Sequence, residues 1–292
     1  NGGMLTPLGG AMNLVTVSYI EGFTGTEFLY SDWVVRMLPF TLLATAVTAL
    51  FLVGGDCGKK HFDCSREHFR ELCRSFPKLD RAGKASMVIF FAAAILAFTR
   101  GLYQQLLPAL KPGYIFLIGG LLMFFLKDEH GEAVVTWEKA EKNLMWGLFF
   151  LFSGGTALGA LVNGSGAADT LAEIISGINF HSEFTLIIAI VTLNVILSDV
   201  VNNTACAAVT IPIVISIAQG LGLPVIPYLW IATVSYNLSF TLPTSIRSIP
   251  VGYGLDTRFM FRKGVAVTGC MILLVSVMGW IFVRYWPAFT AL

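Results

Sequence analysis

The polar run 199–204 (DVVNNT) interrupts an apolar region between residues 183 and 219 and contains the side chains best suited to chemistry. Asn202, Asn203 and Thr204 offer amide and hydroxyl oxygens, which a hard cation such as sodium prefers as ligands. If a helix begins near Thr204, its free N–H groups and positive end could also hold a carboxylate. The alternative is that the three side chains only join neighbouring helices by hydrogen bonds.

Two charged residues, Asp199 and Arg247, lie deepest within the apolar segments. Charges inside a membrane are costly and rare, so both residues are functional candidates. In one interpretation they form a mutual pair. In the other, Arg247 binds an anionic substrate directly or takes the place of a coupling ion. The sequence leaves both interpretations open.

The elements that must position these residues are membrane-spanning helices. Of the 292 residues, 55% are hydrophobic and only 13% are charged, which is more apolar surface than a soluble domain buries. A span needs roughly 20 mostly apolar residues, and five ordinary stretches qualify: 33–53, 85–102, 112–126, 144–162 and 264–283. The net charge is +1 without a long charged tail, so no nucleic-acid partner is expected. The composition predicts an all-α membrane protein.

Orientation follows from the basic residues, which are retained on the cytoplasmic side. They concentrate in the loop 54–84, which is therefore predicted to be cytoplasmic, and the crossing count then places 258–263 on the same side. The loop also contains Cys57, His61, Cys64, His68 and Cys73. Their spacing matches no standard zinc pattern, and an amphipathic helix over 65–76 explains them as well. No metal other than sodium is predicted.

Two helix interruptions suggest an internal repeat. Non-helical backbone at membrane depth is tolerated only inside protein or beside a wet cavity, so 183–219 is interpreted as a re-entrant hairpin with its tip at 202–204. A second interruption, at 241–250, breaks a helix predicted over 224–256.

The opening 6–13 (TPLGGAMN) resembles 242–249 (LPTSIRSI), and the crossing count gives the two copies opposite directions. Inverted repeats with broken helices are typical of secondary transporters, whose substrate and ion sites lie at mid-membrane.

Specific segments also resemble a known family. The segments 152–159 (FSGGTALG), 198–205 (SDVVNNTA) and 239–245 (SFTLPTS) resemble, in order and spacing, the second repeat of the divalent-anion/sodium symporter family. Residues 2–9 (GGMLTPLG) resemble the helix-breaking loop of its first repeat. The resemblance covers nearly the whole chain. It implies sodium-coupled transport of dicarboxylates, citrate or sulfate by a homodimer with an elevator-like motion.

The resemblance also implies, by position, which residues form the sites. The implied sodium-binding residues are Asn203, Ser245, Thr241, Gly9 and Thr6. The implied substrate-binding residues are Asn202, Thr204 and Thr244, and Arg247 joins them as the candidate anion ligand. The chain departs from the family pattern at Asn202, which stands at the usual Ser position. It also departs at 10–13 (GAMN) and 246–249 (IRSI), where the family usually has Thr-Pro-Pro-Asn, and the second of these puts Arg247 beside the second sodium position.

Four regions are predicted. Residues 1–53 form the end of a first repeat, with a broken-helix loop and the following span, and residues 54–84 form the cytoplasmic loop. Residues 85–142 form scaffold-type spans, and residues 143–292 form a second repeat with the hairpin 183–219, the broken helix 224–256 and the last span 264–283. The chain begins at Asn1 without the first hairpin tip of that family. We therefore expect truncation upstream of Asn1, and no transport by this piece alone.

The predicted function is sodium-coupled symport of a small di- or tricarboxylate or sulfate by a multi-pass protein of the cell inner (plasma) membrane. Na⁺ is the coupling ion and no cofactor is predicted; the partners are the anionic substrate, the lipid bilayer and a second copy of the chain. The main alternative is a proton-coupled carrier or exchanger that uses Asp199 and Arg247. An intramembrane enzyme is a remote alternative, because the chain has no His-Glu-x-x-His motif and the loop 163–166 (NGSG) has no partner His in the membrane.

Overall fold

The computed structural model describes residues 2–53, 66–75, 80–144, 182–243 and 248–290, together with isolated positions between 146 and 165. In this part of the chain every regular element is a helix, and the only strand-like pairing is an isolated bridge between Lys127 and Ala133. The prediction of an all-α membrane protein is confirmed. Thr244, Ser245 and Arg247, most of the glycine-rich run 152–159 and most of the loop 54–84 lie outside the described residues.

The first half of the chain begins with two 3₁₀ turns, Gly2–Leu5 and Pro7–Gly9, before the first α-helix. The helices that follow are α1 (Ala11–Thr24), α2 (Tyr30–Val53), α3 (Arg66–Ser75), α4 (Arg81–Phe98), α5 (Arg100–Tyr103), α6 (Pro112–Met123) and α7 (Trp137–Asn143). The helices described in the second half are α8 (Glu183–Val200), α9 (Asn203–Gly220), α10 (Val225–Tyr236), α11 (Ser248–Gly252), α12 (Thr257–Tyr285) and α13 (Pro287–Thr290).

Five of these helices are long and apolar enough to cross a membrane. They are Tyr30–Phe51 within α2, and the whole of α4, α8, α9 and α12. The protein is therefore a multi-pass membrane protein. The shorter apolar helices α6 and α10 have 12 residues each, or about 18 Å of helix.

Side-chain caps explain why several helices begin at positions other than those predicted. Asp80 accepts a hydrogen bond from the Gly83 amide at 2.7 Å, so α4 starts at Arg81 instead of at the apolar run near 85 and ends at Phe98. Asp256 caps α12 in the same way, so the last helix starts at Thr257, ahead of the predicted 264. The amphipathic helix predicted over 65–76 is found as α3, Arg66–Ser75.

The predicted span 112–126 is wrong in length. Its helix, α6, ends at Met123 and is followed by a compact polar turn. In that turn the Asp128 carboxylate accepts hydrogen bonds from the amides of His130 and Glu132. The Gly131 backbone has a positive φ of 81°, a conformation that glycine adopts readily. Turn chemistry thus stops the helix before the apolar run ends.

The described chain divides into two compact units. The first contains residues 1–28, 32–52 and 146–292, and the second contains residues 29–31 and 53–145. In the second unit α4 packs against α6, where Gly119 lets α6 approach Ile89 and Ala93 of α4. The buried Arg100 guanidinium donates to the carbonyl oxygens of Leu107 and Pro108, so this arginine holds a loop of its own unit.

Helix α10 forms the centre of the first unit. All of its residues are buried, and it packs against α1, α8, α9 and α12. A helix that is apolar on every side belongs in a core, which explains how so short an apolar helix is accommodated. Its Trp230 lies edge to face with Trp33 of α2, with ring centroids 5.4 Å apart.

A second buried arginine, like Arg100, was not among the sequence candidates. Arg36 of α2 is buried, with its guanidinium 5.6 Å from the ring centroid of Trp230. Its Nε donates to the carbonyl of Ala288 at 2.9 Å, and Nη1 lies 3.9 Å from the Asp32 carboxylate. Arg36 therefore ties the segment after α12 to α2.

Candidate functional site

The hairpin tip consists of two residues, Val201 and Asn202, between α8 and α9. The Asn202 side-chain oxygen accepts a hydrogen bond from the Ala205 amide at 2.7 Å, so Asn202 is the N-cap of α9. Asn203 and Thr204 occupy the first turn of this helix. The helix begins one residue earlier than predicted, because Asn202 caps it.

The start of α9 presents unused hydrogen-bond donors. Within the described chain, the backbone N–H groups of Asn203 and Thr204 and the Thr204 hydroxyl have no protein partner. The Asn202 side chain is exposed, and its amide nitrogen likewise has no described acceptor. These donors lie at the positive end of an 18-residue helix, where backbone amides and the helix dipole favour an anion.

The Asn203 carboxamide is held beside the end of α8. Its Oδ1 lies 3.2 Å from the hydroxyl of Ser198. That hydroxyl has a single proton, and the carbonyl oxygen of Tyr236 is the closer acceptor at 2.8 Å. The Ser198 oxygen also lies 2.9 Å from the Ser239 hydroxyl, which has a proton of its own to give. Asn203 Oδ1 is therefore oriented by its neighbours while keeping acceptor capacity.

Asp199 bonds to backbone amides in the connector 237–243 that follows α10. The carboxylate oxygen Oδ1 accepts from the amide of Thr241 at 3.1 Å and faces the amide of Leu242 at 3.5 Å. Asp199 is 6% exposed. Its predicted pairing with Arg247 stays a prediction, because Arg247 lies outside the described residues. In the described contacts Asp199 joins the hairpin to the connector.

The connector is also held against α12. Thr241 Oγ1 lies 3.1 Å from the hydroxyl of Thr268. At Gly264 the two backbones meet so closely that a Cβ atom would overlap the carbonyl oxygen of Phe240. The hairpin, the connector and α12 are thus mutually bonded. Helix α10 ends at Tyr236, earlier than the polar run 241–250 at which the sequence predicted the interruption.

The loop before α1 gathers backbone carbonyls around Asn13. The side-chain nitrogen of this fully buried residue donates to the carbonyl oxygens of Gly3 and Thr6, at 2.8 and 2.9 Å. Gly9 closes the loop through its amide, which donates to Thr6 at 3.0 Å, and a Cβ at Gly9 would overlap the Gly3 carbonyl. Thr6 and Gly9, both predicted sodium ligands, therefore belong to one tightly turned loop.

The end of α10 connects this loop with the hairpin tip. Asn237 Nδ2 donates to Asn13 Oδ1 at 3.1 Å, and the Tyr236 hydroxyl donates to the Met12 carbonyl at 3.1 Å. The same Tyr236 accepts from Ser198 of the hairpin through its backbone carbonyl. The predicted site residues fall into two groups that meet at this helix end: Thr6 and Gly9 on one side, and Asp199, Asn202, Asn203, Thr204 and Thr241 on the other.

Sequence reasoning missed the residues that make this connection. Ser198, Tyr236 and Asn237 were not candidates, although all three place polar groups at the ends of apolar runs. Asn13 was quoted only within longer segments, without a role of its own. A search for polar residues at the termini of apolar stretches would have selected all four.

Comparison with known proteins assigns the family. The model of the citrate transporter family matches residues 1–235. The chain therefore belongs to the citrate transporter family, a family of transporters and not of enzymes. The resemblance to divalent-anion/sodium symporters is confirmed, because similar proteins are named as sodium-dependent dicarboxylate transporters.

Three curated relatives illustrate the similarity. An uncharacterized transporter of Haemophilus influenzae is 26% identical over 96% of this chain and 60% of its own length. The sodium-dependent dicarboxylate transporter SdcS of Staphylococcus saprophyticus is 22% identical over 97% of this chain and 56% of its own length. SdcS of Staphylococcus aureus (strain USA300) is 24% identical over 92% and 52%. The chain thus spans little more than half the length of these relatives.

Proposed function

We propose that the protein is a secondary active transporter that couples the movement of a small divalent anion to sodium. The observation that carries this proposal is the start of α9, where a capped helix of membrane length presents unused N–H and hydroxyl groups. Because the hairpin tip contains non-helical backbone in an apolar surrounding, it is suited to a binding site. The names of the relatives support the same class of cargo.

In this proposal the anion binds at the first turn of α9. The donors are the amides of Asn203 and Thr204, the Thr204 hydroxyl and the side-chain nitrogen of Asn202. The Asn202 oxygen already caps the helix, so Asn202 contributes as a donor only. Thr244 and Arg247 are proposed to complete the site from the segment after the connector.

Sodium is proposed to bind at two places. At the first, the proposed ligands are Asn203 Oδ1, Ser245 and the backbone carbonyl oxygen of Thr241. The Thr241 carbonyl is proposed instead of its hydroxyl, because the hydroxyl is hydrogen-bonded to Thr268. The loop of Thr6 and Gly9 serves the other through backbone carbonyl oxygens, and Asn13 fixes the shape of this loop by donating to the carbonyls of Gly3 and Thr6. Oxygen-only ligand sets of this kind suit a hard cation.

The preferred substrate is a C4 dicarboxylate. Similar proteins are named for sodium-dependent dicarboxylate transport, while the family description names citrate. Citrate and sulfate are therefore the two anions to compare with it. We further propose a homodimer in the plasma membrane that moves its substrate by an elevator-type motion, with the loop 54–84 in the cytoplasm.

Proton coupling through Asp199 and Arg247 remains the alternative. The buried Asp199 carboxylate favours it, because acidic groups inside membranes often belong to proton pathways. Asp199 nonetheless has a structural task, since it accepts hydrogen bonds from the connector amides. We therefore rank sodium coupling first.

The test is counterflow of labelled succinate, citrate and sulfate into liposomes that contain the full-length protein, with a sodium gradient or a proton gradient alone. Succinate uptake should require sodium. Asn203→Ala should lower it at least about tenfold, the effect of roughly 1.4 kcal/mol of lost ion or substrate binding. Asn143→Ala is the matched control, because Asn143 is exposed on α7 and, among the described residues, its side chain donates to the Lys139 carbonyl of the same helix. Uptake that a proton gradient alone drives would refute sodium coupling.

A further inference from the structure

The N-terminal end of α12 carries an exposed basic cleft that the transport site does not use. The cleft has a volume of about 640 Å³ and is lined by Asp256, Arg258, Phe259, Arg262 and Lys263. Arg258 and Arg262 are four residues apart, so they lie on the same face of the helix. Among the described residues, neither these arginines nor Lys263 forms an ion pair with an acidic side chain.

Helix geometry places this cleft at the membrane surface. Helix α12 has 29 residues, or about 43 Å, which exceeds the hydrocarbon thickness of about 30 Å. The stretch from Gly264 to Val283 contains no charged residue, and its length of about 30 Å matches the hydrocarbon core. Lys263 therefore lies at the edge of the core, and Arg258 lies roughly 7 Å further out, within the headgroup layer.

The cleft is positive despite the carboxylate in its lining. Both oxygens of Asp256 accept from helix amides, Oδ1 from Arg258 at 3.2 Å and Oδ2 from Phe259 at 3.3 Å. The cleft therefore has three positive side chains and one carboxylate, and that carboxylate is already hydrogen-bonded to the start of the helix. Phe259 and Phe261 are half exposed beside them, which suits contact with acyl chains next to a charged headgroup.

We infer that this cleft binds the phosphate headgroup of an anionic phospholipid. Arg258 and Arg262 supply guanidinium groups that can each donate two hydrogen bonds to phosphate oxygens, and Lys263 adds a third charge. Phe259 and Phe261 contact the adjoining acyl chains. The site lies at the end of a helix that also holds the connector through Thr268 and Gly264, but binding of the lipid does not depend on the proposed transport function.

The experiment measures lipid retention by native mass spectrometry. The full-length protein is purified in nanodiscs of equal phosphatidylglycerol and phosphatidylcholine and then released. The wild type should retain phosphatidylglycerol preferentially. The triple variant R258Q/R262Q/K263Q should lose this preference. The affinity for phosphatidylglycerol should fall about fivefold for each charge removed, which corresponds to about 1 kcal/mol per basic residue.

Two further variants and one competitor make the result specific. K111Q/K127Q/K139Q removes three exposed charges of the other unit and should keep the preference. R258K/R262K keeps the charge and should retain most of the lipid, which also controls for folding. Millimolar inorganic phosphate should not displace the lipid. Equal phosphatidylglycerol retention by the triple variant and the wild type would overturn the inference, as would displacement by free phosphate, which would assign the cleft to a soluble anion.

Discussion

Asp199 makes the most informative single contact, because one buried carboxylate joins two segments far apart in the chain. Its Oδ1 accepts from the Thr241 amide and faces the Leu242 amide. A buried amide that loses its acceptor retains the cost of its desolvation. The side chain therefore has a role in holding the connector that is separate from any charge pair.

Two substitutions of Asp199 can show whether its acceptor oxygen or its negative charge is what stabilises the protein. Asp199→Asn keeps an acceptor oxygen and should lower the free energy of unfolding by less than about 1 kcal/mol, whereas Asp199→Ala should lower it by about 1–3 kcal/mol. Thermal unfolding in detergent measures both variants. If the main task of Asp199 were to pair with Arg247, the Asn variant would be as unstable as the Ala variant.

The same pair of variants bears on coupling. With the connector held by the Asn oxygen, Asp199→Asn should retain sodium-dependent uptake of succinate, because a neutral amide still accepts from the Thr241 backbone. Complete loss of uptake in a stably folded Asp199→Asn protein would support a proton-carrying carboxylate and the alternative mechanism.

At the scale of elements, the packing of α12 on the connector depends on the absence of a side chain at Gly264. A Cβ there would overlap the Phe240 carbonyl oxygen and lie 2.9 Å from the Thr241 Cα. Both of these neighbours are backbone atoms and cannot rotate away. The helix or the connector would have to shift, and with it the hydrogen bonds between Thr241, Thr268 and Asp199.

Gly264→Ala should therefore destabilise the protein by about 1–3 kcal/mol, the usual cost of overpacking. Gly269→Ala is the matched control in the same helix, since a Cβ at that position would meet no atom of another described segment within 4 Å. It should be neutral or stabilising by up to about 1 kcal/mol. Unfolding temperatures of the two variants test the close approach, and equal temperatures would contradict it.

The hairpin and the broken helices show how far sequence reasoning reaches at this scale. Polar residues inside apolar runs located the tip at 202–204 within one residue of the observed helix start at Asn203. Helix ends were less accurate, because Asp80 and Asp256 cap helices beyond the apolar runs that the pattern detects. The length of α6 was overestimated, since the turn around Asp128 overrides hydropathy.

At the scale of the whole molecule, the chain belongs to the citrate transporter family, and its described part contains five helices long and apolar enough to cross a membrane. The predicted orientation rests on the basic loop 54–84, in which Cys73 of α3 is exposed. The buried Cys206 lies within α9 and serves as a thiol that a reagent in water should not reach. These two thiols make the orientation testable without introducing a new cysteine.

In a protein that retains only Cys73 and Cys206, a membrane-impermeant maleimide should label Cys73 in inside-out vesicles and leave it unlabelled in intact cells. Cys206 should remain unlabelled in both, and Cys73→Ser should remove the signal. Labelling of Cys73 from outside intact cells would invert the proposed topology and place the loop 54–84 outside the cytoplasm.

The sequence by itself determined the membrane class, the family and the position of the hairpin tip, because each depends on local features: apolar length, motif spacing and polar residues within apolar runs. Only the tertiary structure decided which polar groups remain available. Asn202 uses its oxygen to cap α9, Asp199 bonds amides of the connector, and Asn13 reaches Asn237 across the first unit. The last two contacts join residues distant in sequence, so they depend on how the helices pack and not on any local pattern.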